Sequence, residues 1–201
     1  MPHRPSIRRI IRPHSARCFR RAATIGPLNT RRETKVSVVN ELIRNNRRYA
    51  DSFTNSGLPT SPARRLAIVT CMDARLDVND LLGLGLGEAH IIRNAGGVVT
   101  DDVLRSLLIS QRLLGTREII LVHHTDCGML TFTDHDVKRE VYEETGLRLP
   151  FALGAFSDPF QEVLQSIARI EASPFVEGRE GGVRGFVFDV KTGLLSEVLS
   201  E

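Results

Sequence analysis

Leu66-Ala67-Ile68-Val69-Thr70-Cys71-Met72-Asp73-Ala74-Arg75 is the stretch whose reading decides the fold. Its first five residues are apolar or β-branched with no alternation, the pattern of a short strand buried on both faces in a parallel sheet. The run delivers Cys71 at its carboxyl end, the edge at which open α/β sheets collect ligands. Ala89 to Ile92 reads as a second short strand, and Glu118 to His123 as a third that delivers His124 and Cys127. Between them Val78 to Leu84 reads as helical. Thr100 caps a further helix through Leu114, with Asp101 and Asp102 in its first turn and Gly115 as its stop. This alternation predicts an α/β fold with a central, mainly parallel sheet and flanking helices.

Outward from that centre, Val39, Leu42, Ile43 and Tyr49 are spaced for one face of a helix beginning at Val38. Ser52 to Pro62 is rich in turn formers and reads as a loop. Thr131 to Glu144 is helical in its later part. Phe160 to Glu171 is amphipathic through Val163, Leu164, Ile167 and Ile170. Val183 to Val190, Lys191-Thr192-Gly193 and Leu194 to Val198 read as strand, turn and strand, adding a C-terminal hairpin to the sheet. Asn94-Ala95-Gly96-Gly97 reads as a tight turn that lets the backbone pass close to the candidate metal pocket around Cys71, His124 and Cys127.

The chain has 201 residues and 41% hydrophobic content, enough for one core. Its charge is unevenly spread. Residues 1–32 hold nine Arg and no Asp or Glu, and removing them from 27 basic and 24 acidic residues leaves 18 against 24, a body of net charge −6. Such a body is not built to track phosphates, so nucleic-acid binding is not expected. Residues 1–34 read as an Arg-rich tail that joins no core: a disordered segment, upstream sequence translated from an early start, or a mitochondrial presequence. Residues 35–201 read as a single domain. Three cysteines without a secretory segment point to a reducing compartment, with a cytoplasmic location expected and the mitochondrial matrix as the alternative. No apolar run is long enough to cross a bilayer.

Cys71, His124 and Cys127 form the chemical signal. Zinc favours thiolate and imidazole, and a catalytic site takes three protein ligands with a fourth position left for water. The His-Thr-Asp-Cys spacing lets one turn present two donors, while the third arrives from a strand 53 residues earlier. Spacing alone leaves two readings open, a metal site or three unrelated core residues. Cys71, Asp73 and Arg75 alternate to one side if extended, so Asp73 can reach either the metal or Arg75. Cys18 is a remote candidate for a fourth ligand of a structural site, disfavoured by the cost of ordering a tail. Gly83-Leu84-Gly85-Leu86-Gly87 lacks the spacing of a dinucleotide loop, and His90 and His135 read as ordinary surface or boundary residues.

Cys71-Met72-Asp73-Ala74-Arg75, Arg93-Asn94-Ala95-Gly96-Gly97 and His124-Thr125-Asp126-Cys127-Gly128, in that order and spacing, resemble the three signatures of the beta-class carbonic anhydrases. The likeness runs from about Val38 to the C-terminus. It is nearest the short bacterial and fungal branch that also contains carbonyl sulfide hydrolases. The resemblance implies one zinc per chain on Cys71, His124 and Cys127, with Asp73 closing onto the metal in some members. It implies a catalytic pair of Asp73 and Arg75, and a homodimer or higher even oligomer. The implied reaction is hydration of carbon dioxide to bicarbonate and a proton, with hydroxide generated at the metal. Carbonyl sulfide hydrolysis by the same site is the near alternative, and a non-catalytic zinc-stabilised module the distant one. Three departures stand out: His123 replaces a glycine common in the family, the substrate-binding Gln of the plant-like branch is missing before Gly87-Glu88, and the chain has no Trp. His123 is expected to pack or hydrogen-bond nearby, with proton shuttling as a lesser role.

Overall fold

The computed structural model describes residues 37–177 and 182–199. The Arg-rich segment 1–34, with Cys18, lies outside them. The described chain falls into two compact units, divided between Thr54 and Asn55. The first contains helix α1, Val38–Asp51, with the helical spacing expected of Val39, Leu42, Ile43 and Tyr49.

The second unit is built on β1, Leu66–Cys71, whose residues from Ala67 onward are all buried. Strands β2 (Ala89–Asn94), β3 (Glu118–His124), β4 (Val183–Phe188) and β5 (Leu195–Val198) complete a sheet of order β2-β1-β3-β4-β5. The first four strands are parallel, and β5 returns antiparallel on β4 as the expected hairpin. From β1 the chain moves outward to β2 on one side and then crosses to β3 on the other. That reversal opens a crevice at the carboxyl ends of β1 and β3, where ligands of such sheets bind.

Side chains alternate between two cores. On one face Ala67 and Val69 of β1 and Ile119 and Leu121 of β3 meet Val103 and Leu107 of α3 (Asp101–Arg112) and Ile170 of α5 (Pro159–Glu171). On the other, Ile68 and Val122 meet Val78 of the short helix α2, Val78–Leu82. Local chemistry sets the helix ends. Asp77 caps α2 by accepting from Asn79 and Asp80 N–H, Thr100 caps α3 at Val103 N–H, and Thr133 caps α4 (Asp134–Thr145) at Asp136 N–H. Several elements differ from the sequence reading by a few residues at their ends: α2 stops at Leu82 and β4 at Phe188, while β1 and β3 each run one residue further. Strand β2 runs on to Asn94 because Cys71 pairs with it in register, and α3 stops at Arg112, ahead of Gly115.

Gly96 and Gly97 sit in the kinked turn directly after β2, both with positive φ. Gly97 has φ +73, and a Cβ there would lie 2.9 Å from the Thr70 carbonyl carbon and 3.0 Å from Cys71 N. Only glycine lets this turn press on the end of β1, so the expected close approach is present.

Candidate metal centre

Strand β1 carries Cys71 to the carboxyl edge and β3 carries His124, which is followed by a turn bearing Cys127. Their donor atoms lie within 4.8 Å of one another, and all three residues are buried. The two sulfurs are 4.0 Å apart, against about 3.8 Å for thiolates ~2.3 Å from one tetrahedral zinc. His124 Nδ1 donates to the Thr125 carbonyl at 2.9 Å, which fixes the tautomer with an open Nε2 lone pair. That Nε2 is buried without a hydrogen-bond partner. An orphaned buried acceptor between two thiols is costly unless a cation takes it. Two thiols and an imidazole are the donors zinc prefers, so the residues fit the metal.

The thiols are electrostatically linked. Their mutual contact holds the Cys71 thiol below the ordinary range and, with burial, pushes that of Cys127 up.

Thr125 clasps the turn to β4, its N–H donating to the Phe188 carbonyl at 2.9 Å and its hydroxyl accepting from Val190 N–H at 3.1 Å. Asp126 follows at φ +55.

Residues 72–75 do not continue as an extended strand. Asp73 turns the chain by accepting Arg75 N–H at 2.9 Å, which folds the guanidinium back over its carboxylate. Arg75 then donates to Oδ1 at 3.0 Å and Oδ2 at 2.8 Å, a two-pronged pairing. Those hydrogen bonds hold the Asp73 carboxyl well below the usual carboxylate range. Its Oδ2 stands 3.8 Å from His124 Nε2, at the mouth of the donor set. The five residues singled out from sequence, Cys71, Asp73, Arg75, His124 and Cys127, therefore meet in one place.

Two residues with clear roles were not singled out individually. Arg93, at the end of β2, donates to the Cys71 carbonyl at 2.9 Å and the Asp73 carbonyl at 2.7 Å, clamping the loop that carries both. Asp126 accepts from Arg75 across the site at 2.7 Å. Both lie inside the quoted motifs, but an arginine that binds carbonyls and a carboxylate that binds an arginine look like surface charges until the loops are brought together. His123 packs instead of binding. It is fully buried, its ring stands 5.8 Å from that of Phe156, neither nitrogen has a partner, and burial pushes its pKa down to about 4. As expected of surface and boundary residues, His135 is exposed and His90 is partly buried, bonding Ser110 at 2.7 Å.

A buried thiol, thiol and imidazole set at the carboxyl edge of a parallel sheet, with an ionised carboxylate beside it, defines a metal centre of the kind zinc enzymes use. A family model described as carbonic anhydrase matches residues 66–147. The chain is 58% identical over 163 residues to beta-carbonic anhydrase 1 of Mycobacterium tuberculosis, covering 81% of this chain and 99% of that protein. It superposes with a TM-score of 0.76 on a carbonic anhydrase crystal structure from Streptococcus mutans, at 43% identity and covering 81% of this chain and 98% of that one. A shorter likeness, 51% over 83 residues, links it to a carbon disulfide hydrolase of Acidianus, covering 41% of this chain and 40% of that protein. The chain belongs to the beta-carbonic anhydrase family.

Proposed function

We propose that this protein is a carbonate dehydratase, converting carbon dioxide and water to bicarbonate and a proton at a zinc held by Cys71, His124 and Cys127. The observation that carries the reading is the convergence of three buried donors, one of them the orphaned His124 Nε2, beside the Asp73 and Arg75 pair. Zinc supplies the Lewis acidity that makes water a nucleophile near neutral pH. Two thiolates and a neutral imidazole balance the ion's charge, so the remaining electrostatic work falls to the protein's own groups. Arg75 keeps Asp73 ionised and turned toward itself. Asp73 Oδ2 then accepts a hydrogen bond from the attacking oxygen and points its free lone pair at the substrate carbon. Arg93 holds the backbone carbonyls of Cys71 and Asp73, so this orientation is present before substrate arrives.

The same machinery acts on any small linear heterocumulene that fits. Carbonyl sulfide or carbon disulfide is therefore the second reading, favoured by the carbon disulfide hydrolase likeness. We assign the protein to a reducing compartment, the cytoplasm, because free buried thiols are its metal donors. We assign it a homodimeric or higher even assembly by analogy with its family. Among the described residues no helix is long and apolar enough to cross a membrane.

The deciding experiment measures turnover of carbon dioxide, carbonyl sulfide and carbon disulfide side by side on zinc-loaded protein and on Cys71→Ser and His124→Ala. Carbon dioxide hydration lost with zinc in both variants is the expected result. Turnover of only the sulfur compounds would replace the first reading by the second. A parent inactive on all three, with variants that stay folded without zinc, would leave a zinc-stabilised module without catalysis.

A further inference from the structure

We propose that Asp126 is a positioning residue for this reaction, holding Arg75 so that Asp73 keeps its place relative to the metal donors. The inference rests on the reading of Asp73 and Arg75 as the catalytic pair. Arg75 and Asp73 lie on one short turn and bind each other through three hydrogen bonds. Those contacts fix the two residues to each other but not to the opposite side of the site, where His124 and Cys127 sit. Asp126 makes that second connection. Its Oδ2 accepts from Arg75 Nη1 at 2.7 Å and its main-chain carbonyl accepts from Arg75 Nη2 at 2.8 Å. The guanidinium thus spans two carboxylates and joins the loop bearing Cys71 to the loop bearing the other two donors.

The backbone at Asp126 is shaped for this. Its φ of +55 is one of two positive values at non-glycine residues among the described residues, the other being Arg65. A left-handed residue in the middle of the His-Thr-Asp-Cys turn aims its carbonyl and its carboxylate at the same guanidinium, and Asp tolerates that conformation better than most. Stability is a poor explanation for the contact. Asp126 is 70% exposed and Arg75 47%, and exposed ion pairs add little to folding. What the contact supplies is registry between two loops, and misplacement of a catalytic group by about an ångström lowers turnover substantially.

The test uses full-length, zinc-loaded protein with Asp126→Gly, Asp126→Asn, Arg75→Ala and the Asp126→Gly/Arg75→Ala double variant. Glycine accepts the left-handed backbone, so Asp126→Gly removes the carboxylate without adding strain. It is expected to lower kcat by about tenfold or more with KM little changed and zinc content intact. Asp126→Asn retains an amide oxygen that can accept from Nη1 and is expected to recover most of the loss. In the Arg75→Ala background, Asp126→Gly is expected to have no further effect. The visible spectrum of the cobalt(II)-substituted protein, which reports the metal environment without turnover, is expected to change in Asp126→Gly and to return with Asp126→Asn. If Arg75→Ala collapses activity while Asp126→Gly keeps the parent kcat and cobalt spectrum, the inference about Asp126 falls and the catalytic pair stands. If Arg75→Ala itself keeps parental activity, the catalytic reading of the pair fails. An additive loss in the double variant would mean that Asp126 does not act through Arg75, and would overturn the inference.

Discussion

Arg93 reaches from the end of β2 to two carbonyls on a neighbouring loop, Cys71 O and Asp73 O, and touches no metal donor atom. Hydrogen bonds from a charged donor are worth about 1.5–3 kcal/mol each when the geometry is good. Removing them frees the turn that presents Asp73 while the thiol of Cys71 stays anchored by β1. Arg93→Ala is therefore expected to retain close to one zinc per chain, measured by atomic absorption, and to lower kcat by about tenfold or more with a smaller change in KM. Loss of zinc in step with activity would show instead that Arg93 maintains the donor geometry. At this scale the sequence was informative wherever chemistry is intrinsic to the residue. Thiols and an imidazole at metal spacing narrowed the reading to a metal site or core residues, and the likeness of the motifs to a zinc family chose between them and paired Asp73 with Arg75. The partners of Arg93, two carbonyl groups, have no residue identity to read.

Helix α5 packs on β3 and β4, with Gly185 of β4 facing Val163 and Ile167. A Cβ on Gly185 would stand 2.1 Å from Val163 Cγ1 and 3.0 Å from Ile167 Cδ1. The φ of Gly185 is not in the left-handed region, so the requirement is for space alone. Gly185→Ala is expected to destabilise the fold by about 1–3 kcal/mol through overpacking. Val163→Ala in the same chain should restore part of that loss, a coupling that urea unfolding of the four proteins in the cycle would measure. Additive single effects would place the strain elsewhere. Element identity was legible because periodicity and capping are local: Thr100 with Asp101 and Asp102, and the apolar repeat Val163, Ile167 and Ile170, define α3 and α5 without reference to anything distant. Element ends were less so. Strand β2 extends to Asn94 through its ladder with β1, and residues 72–75 curl because Asp73 captures Arg75 N–H. In both cases a hydrogen bond to a particular partner overrides what alternation suggests.

Across the whole molecule, the metal donors tie β1 to β3, elements joined otherwise through the sheet and its cores. Any ligand that binds only the folded state stabilises it, by about 4 kcal/mol at a thousandfold excess over Kd. Removing zinc leaves His124 Nε2 buried without a partner. Chelation is thus expected to lower Tm by about 10 °C for a chain of this size, using 2–4 °C per kcal/mol. Scanning calorimetry before and after chelation measures the shift, and zinc, but not magnesium, should reverse it. An unchanged Tm with zinc fully removed would count against a site that binds the folded state tightly.

The α/β class, the parallel core around Leu66–Thr70 and the C-terminal hairpin were legible in the residues themselves, and the donors Cys71, His124 and Cys127 through the likeness of their motifs to a zinc family. These follow from properties a residue carries with it: burial preference, backbone freedom, and affinity for a soft cation. Tertiary structure alone decided which charges converge. Arg75, already expected to pair with Asp73, also takes Asp126; Arg93 takes carbonyls; and the ring against which His123 packs is that of Phe156. The reason is physical. A hydrogen bond or ion pair between loops 51 residues apart depends on distances of 2.7–2.8 Å, and those exist only after the sheet has set β1 beside β3.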